Sequence, residues 1–146
     1  VHGFDPSQPP PGDPPELVAD WVDDQVTDRR RGLAFVAPIR PDAAEAARRF
    51  GKEAFEARRA EHTESRRQLG VTRETVMLNH TPMGDVLCVY LEGEDPAASN
   101  ARFAASTSDY DAWFKARCAE IFAPEVDFNQ PVPPVTELFD SQPLLG

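Results

Sequence analysis

Apolar residues alternate with their neighbours in several short stretches of the chain and recur at steps of three and four in others. In "GLAFVAPI" (32–39), Leu33, Phe35, Ala37 and Ile39 fall on one side of an extended chain, and Ala34, Val36 and Pro38 on the other. Both sides are apolar, which predicts a strand covered on two faces. "TRETVMLNH" (72–80) sets Thr75, Met77 and Asn79 against Val76, Leu78 and His80. "DVLCVYLEG" (85–93) is apolar from Val86 to Leu91, as a central strand would be, and the Thr81-Pro82-Met83-Gly84 turn predicts a hairpin. A last strand is expected in "TELFD" (136–140), after a Pro-rich approach.

Helical spacing fills the intervals. Pro41-Asp42 opens the first helix, with Asp42 as its cap or first-turn acid, and Gly70 stops it. Ala47, Phe50, Ala54 and Ala57 make its buried stripe. Its arginines, spread over residues 48–67, alternate with Glu45, Glu53, Glu56, Glu61 and Glu64, the pattern of a solvated face. Asp95-Pro96 starts a second helical region that breaks at Ser106-Thr107-Ser108 and restarts at Asp109. Tyr110, Phe114, Cys118, Ile121 and Phe122 share one stripe there.

The order β-α-β-β-α-β defines an α+β class with a ferredoxin-like antiparallel sheet and both helices on one face. Such a sheet leaves its second face bare. Because the strands are apolar on both sides, a second sheet is expected to cover it, as a homodimer or tandem pair closing an α/β barrel. Three segments follow: a Pro-rich arm (1–30), the domain proper (31–141) and a short tail (142–146).

The arm repeats the ending. Asp5, Gln8, Pro9 and Pro11 align with Asp127, Gln130, Pro131 and Pro133 at one constant offset, and Glu16-Leu17 aligns with Glu137-Leu138 after a gap. Chance agreement of two Pro-rich stretches is one explanation. The other makes residues 1–20 the tail of a preceding copy and Glu16–Ala19 an extra N-terminal strand on a sheet edge. The chain opens on Val1 rather than Met, which points to residues upstream.

Charge and cysteine usage narrow the partners. With 15 basic against 25 acidic residues the net charge is −10, a field that repels nucleic acid. No apolar run approaches the ~20 residues that cross a bilayer, and nothing at the start resembles a secretory signal. Cys88 and Cys118 belong to no C-x-x-C pair, so two buried reduced thiols in a cytoplasmic protein are expected.

The run "RRQLGVTRETVMLNHTPMGDVLCVYLEGEDPAASNARFAASTSDYDAWFKARCAEI", with "TPMGDVLCVYLEGEDP" as its most distinctive part, resembles an uncharacterised bacterial domain family of unknown function. That family is similar in fold to the dimeric α/β-barrel superfamily, and the resemblance covers residues 33–140. It implies two four-stranded sheets enclosing a cavity, but no single chemistry: the superfamily includes cofactor-independent monooxygenases, haem-degrading and isomerising enzymes, and members with no known activity.

Candidate chemistry follows from the barrel-facing side. Met77 and Asn79 share it, and Asn79 could hold a ligand carbonyl or enolate, or else hydrogen-bond the Pro82–Gly84 turn. His80 is a candidate base or a surface histidine. Tyr90 and Trp113 are aromatics with polar handles, either cavity-lining or plain packing. His62, in "AEHTES", lies on a charged helix without H-x-x-x-H or H-E-x-x-H spacing, so neither a metal nor a cofactor is expected. Two functions remain: a small-molecule-binding or assembly module that self-associates, and a cofactor-independent monooxygenase- or isomerase-like enzyme acting on a small apolar substrate. A third is a regulatory partner docking through its acidic surface.

Overall fold

Alternation decides which side of each strand is covered. The structure, a computed structural model, describes residues 31–141. Its class is α+β. Strands β1 (Arg31–Pro38), β2 (Val71–Thr81) and β3 (Gly84–Gly93) form one antiparallel sheet in the order β1-β3-β2. β3 is central, as its unbroken apolar run predicts. Phe35 and Val76 both pair with Val89, and Ala37 and Leu78 both pair with Leu87. Pro82-Met83 turns the chain between β2 and β3, and Gly84 holds a φ of 115° that other residues adopt only with strain.

Four helices accompany the sheet: α1 (Ala44–Lys52), α2 (Arg59–Leu69), α3 (Pro96–Ala105) and α4 (Asp109–Ile121). A π-helical turn, Glu53–Ala57, joins α1 to α2, and the Arg58 N–H donates to the Glu53 carbonyl at 2.9 Å, a five-residue step. Gly70 ends α2 with φ 85°. The Arg102 guanidinium donates to the Leu69 carbonyl at 2.7 Å, satisfying a carbonyl the helix leaves over. Asp95 caps α3 by accepting from the Ala98 N–H, and Ser108 caps α4 by accepting from the Asp111 N–H. At the break between them, buried Lys115 donates to the carbonyls of Phe103, Ala104 and Ser106 at 3.2, 3.0 and 2.8 Å.

The helices meet only the sheet face made by Phe35, Ala37, Val76, Leu78, Leu87, Val89 and Leu91. Core residues Ala37, Ile39, Ala43, Leu87, Cys118, Ile121 and Phe122 form one cluster there. The α4 stripe read from the sequence is in place, with Tyr110, Cys118, Ile121 and Phe122 buried and Phe114 half-buried.

Several expectations need correction. Residues 31–135 form one unit, and residues 136–141, outside it, form neither helix nor strand, so the sheet has three strands among the described residues. The expected strand 136–140 follows Pro131, Pro133 and Pro134, which donate no backbone hydrogen bonds, and Leu138 and Phe139 are 88% and 84% exposed. Asp42 caps nothing: its φ is 64°, and α1 begins two residues later with no side-chain cap. The stripe Ala47, Phe50, Ala54 does not continue to Ala57, which is exposed. The wide π turn moves the buried positions on by one residue, to His62, Ser65, Arg66 and Leu69. Arg66 is therefore buried rather than on a solvated face, while Glu45–Arg48, Arg58–Glu61 and Glu64–Arg67 do pair in solvent. β1 is not covered on both sides within residues 31–135, since Val36 is 65% exposed. Residues 1–30, with their expected extra strand at Glu16–Ala19, and the 142–146 tail lie outside the described residues. Among the described residues, no helix is long and apolar enough to cross a membrane.

Candidate functional site

Between the sheet and the helices lies a cavity of about 650 Å³. Its floor is Phe35, Val76, Leu78, Leu87, Val89 and Leu91 from the strands. Seven of the chain's nine phenylalanines line it: Phe35, Phe50, Phe55, Phe103, Phe114, Phe122 and Phe128. Phe55 on the π turn and Val76 on β2 line it while each staying 51% exposed, so the mouth runs between that turn and β2.

A buried polar chain forms part of the wall. Glu74 is the one charged residue on the helix-facing side of β2, next to Val76 and Leu78. It accepts from His62 Nε2 at 2.7 Å and from Arg66 Nε and Nη2 at 2.9 and 3.3 Å. Burial alone would push this carboxyl up. The His62 hydrogen bond and the Arg66 charge outweigh it and hold Glu74 at about 2. On its other nitrogen, His62 Nδ1 meets the Tyr110 hydroxyl at 2.6 Å. Burial pushes the Tyr110 phenol upward, so it keeps its proton. An ionised Glu74 only accepts, so Nε2 carries a hydrogen, and a ring whose Nδ1 accepts from Tyr110 satisfies both partners.

The chain continues beyond Arg66. Arg66 Nη1 donates to Ser65 Oγ at 3.0 Å, Ser65 Oγ donates to Asp111 Oδ1 at 2.5 Å, and Ser106 Oγ donates to Asp111 Oδ2 at 2.5 Å. The Arg66 guanidinium also lies 4.5 Å from the Phe114 ring centre. Every partner is spent on another. This wall is a fixed polar strut linking α2, β2 and α4, not an open set of reactive groups.

Cys118 also lines the cavity, and burial pushes its thiol up to about 12, which leaves it protonated and unreactive near neutral pH. Both cysteines are free thiols; Cys118 is buried and Cys88 half-buried. Among the described residues, no group of three or more His, Cys, Asp or Glu is arranged to hold a metal ion.

The residues singled out from the sequence divide among three places. Met77, Asn79 and Tyr90 come together on the sheet face turned away from the helices: Met77 pairs with Cys88, and Tyr90 pairs with Thr75. Asn79 donates to Cys88 Sγ at 3.2 Å rather than to the hairpin turn. Tyr90 leans over Gly32, where an added Cβ would stand 2.7 Å from the phenol oxygen. His80 points to the other side, at the hairpin end, exposed and paired with Asp85 at 2.8 Å. Trp113 belongs to the helical layer, half-buried, with Arg58 stacked 4.3 Å from its ring centre and Phe50 at 5.8 Å. Phe35 faces the helices, not the side shared by Met77 and Tyr90.

The sequence reading passed over Ser65, Arg66 and Glu74 and weighed His62 only as a metal ligand on a charged helix. Two signals mark them: the 62-65-66-69 spacing ending at Gly70, and a lone carboxylate at the parity of Val76 and Leu78. Neither a family model, nor a curated protein, nor a solved structure matches this chain.

Proposed function

We propose that residues 31–135 are a small-molecule-binding module whose ligand sits between the sheet and the helices. The observation that carries this reading is the apolar cavity of about 650 Å³, within the ~300–1,000 Å³ range of small-molecule sites. The polar groups in its wall support binding over catalysis. His62 has both ring nitrogens engaged, Glu74 accepts from two partners, and the Cys118 thiol stays protonated. A cofactor-independent monooxygenase or isomerase needs a base or nucleophile with a free lone pair, so that alternative has less support.

Titration with N-phenyl-1-naphthylamine, whose emission brightens in apolar surroundings, tests the reading. Saturable binding with one site per chain is expected, weakened at least about tenfold by Val76→Trp at the mouth. Absence of saturable binding overturns it.

A second reading concerns the open sheet face. Val36 is 65% and Met77 49% exposed there, beside Val86 and Cys88, and a second copy stacked on it would bury all four. Self-association of this kind also fits a ferredoxin-like sheet, whose order β1-β3-β2 with helices on one face would be completed by a fourth strand beside β1. Free Cys88 and Cys118 fit a reducing, cytoplasmic setting. Light scattering decides: a mass of twice 16.2 kDa, halved by Val36→Glu with Met77→Lys, supports pairing, and a concentration-independent 16.2 kDa species removes it.

A further inference from the structure

We infer that the cavity takes a neutral aromatic molecule carrying a carbonyl-type hydrogen-bond acceptor, received by Ser99 and Asn100 of α3. The inference rests on the binding reading above and names the class of its ligand.

Two observations lead to it. The first is the lining: seven phenylalanines around one space offer ring faces and edges, which favour a flat aromatic guest over a flexible chain. Of the charged residues that line the cavity, Arg48, Lys52 and Glu56 are exposed at its rim, while buried Arg66 and part-buried Glu74 pair with each other at 2.9 Å, so the interior presents no unpaired charge for an ionic ligand to meet.

The second is an unspent pair of donors. Ser99 and Asn100 are 1% and 6% exposed, and both line the cavity. The Asn100 Oδ1 accepts from the Val132 N–H at 2.8 Å, which fixes the orientation of the amide. Its Nδ2 then has no acceptor among the described residues. Ser99 Oγ accepts from Arg102 Nη2 at 3.3 Å, and its own proton likewise has no acceptor there. Among the described residues no fully buried side-chain nitrogen or oxygen lacks a hydrogen-bond partner, so the Asn100 Nδ2 is not sealed off and opens at the cavity wall. Two in succession on one helix, against an otherwise apolar space, fit an acceptor that arrives with the guest. Every acceptor in the neighbouring polar wall is already engaged, so the wall offers them none.

The test uses a matched pair of fluorescent probes: 2-dimethylaminonaphthalene bearing a 6-propionyl ketone, and the same ring bearing a 6-propyl chain. Only the ketone can accept a hydrogen bond at that end. The wild-type chain should bind the ketone about five- to tenfold more tightly than its propyl analogue, the worth of one or two neutral hydrogen bonds. Ser99→Ala and Asn100→Asp should each lower ketone affinity several-fold and leave propyl affinity within about twofold. Asn100→Asp keeps an oxygen for the Val132 N–H. If it fails to fold, Ser99→Ala and the wild-type pair still decide. A straight-chain ketone of similar size should compete at least about fivefold less well than the aromatic one.

Equal binding of the two probes, or variants that weaken both alike, overturns the acceptor assignment while the cavity reading stands. Equal competition by the straight-chain ketone overturns the aromatic class. If neither probe binds, the cavity reading itself falls and takes this inference with it.

Discussion

One sheet has two faces, and they differ less in composition than in company. Toward the helices it presents Phe35, Val76, Leu78, Leu87 and Val89; away from them, Ala34, Val36, Met77, Val86, Cys88 and Tyr90. The first set has the four helices of the described residues above it and still leaves an open-mouthed cavity of about 650 Å³. The second has no element of residues 31–135 above it. Apolar alternation therefore shows that a face avoids water, not what shields it or how fully. The helix side is also where charge is buried, and only there do polar groups have enough partners to be held without water.

The sharpest way to break this contrast is at Glu74. Glu74→Ala strands Arg66 and His62 in the wall and should cost about 3–5 kcal/mol in urea unfolding. A loss below about 1 kcal/mol would mean that water reaches the polar chain. Acid titration sharpens the same point. Glu74 sits at about 2 when folded against 4.5 without its partners, so its stabilisation is complete above about pH 4.5 and fades as pH falls toward 2. Glu74→Gln should flatten stability across that window, and an unchanged acid limb would count against the geometry.

Thiol labelling compares the faces directly. Cys88 on the open side should react with a maleimide roughly tenfold or more faster than Cys118, which is 3% exposed and whose thiol lies at about 12. Protection of Cys88 that grows with protein concentration would favour a second copy on that face. The smallest effect belongs to Val36→Ala, expected within about 0.5 kcal/mol of wild type if that face stays wet. A loss above about 1 kcal/mol would show that something covers it.

Strand identity and pairing were legible because alternation and the Pro82-Met83 turn agree with each other. The second helical region was legible too, since Asp95 and Ser108 are strong caps and the Ser106–Ser108 break interrupts a clear stripe. The fourth strand was not, because "TELFD" has strand-like residues but follows Pro131, Pro133 and Pro134 and forms no strand among the described residues. The site was missed for a different reason. Extending Ala47, Phe50 and Ala54 by ordinary helical steps carries the buried stripe to Ala57 and on toward Glu61, and treats His62 and Arg66 as solvated. One extra residue in the turn reverses that assignment, and nothing in the composition of "EAFEA" announces it. Ser99 and Asn100 look like ordinary small polar positions of a helix until the space in front of them is known.

That turn is a phase shifter. Winding 53–57 as ordinary α-helix at unchanged length would rotate everything after it by about 100°. His62, Ser65 and Arg66 would swing off the sheet, and Glu61 with Glu64 would come round toward Glu74, setting three carboxylates where a carboxylate, an imidazole and a guanidinium now meet. Deleting one residue from the turn would instead restore a continuous α-helix with His62 and Arg66 still on the side of Glu74.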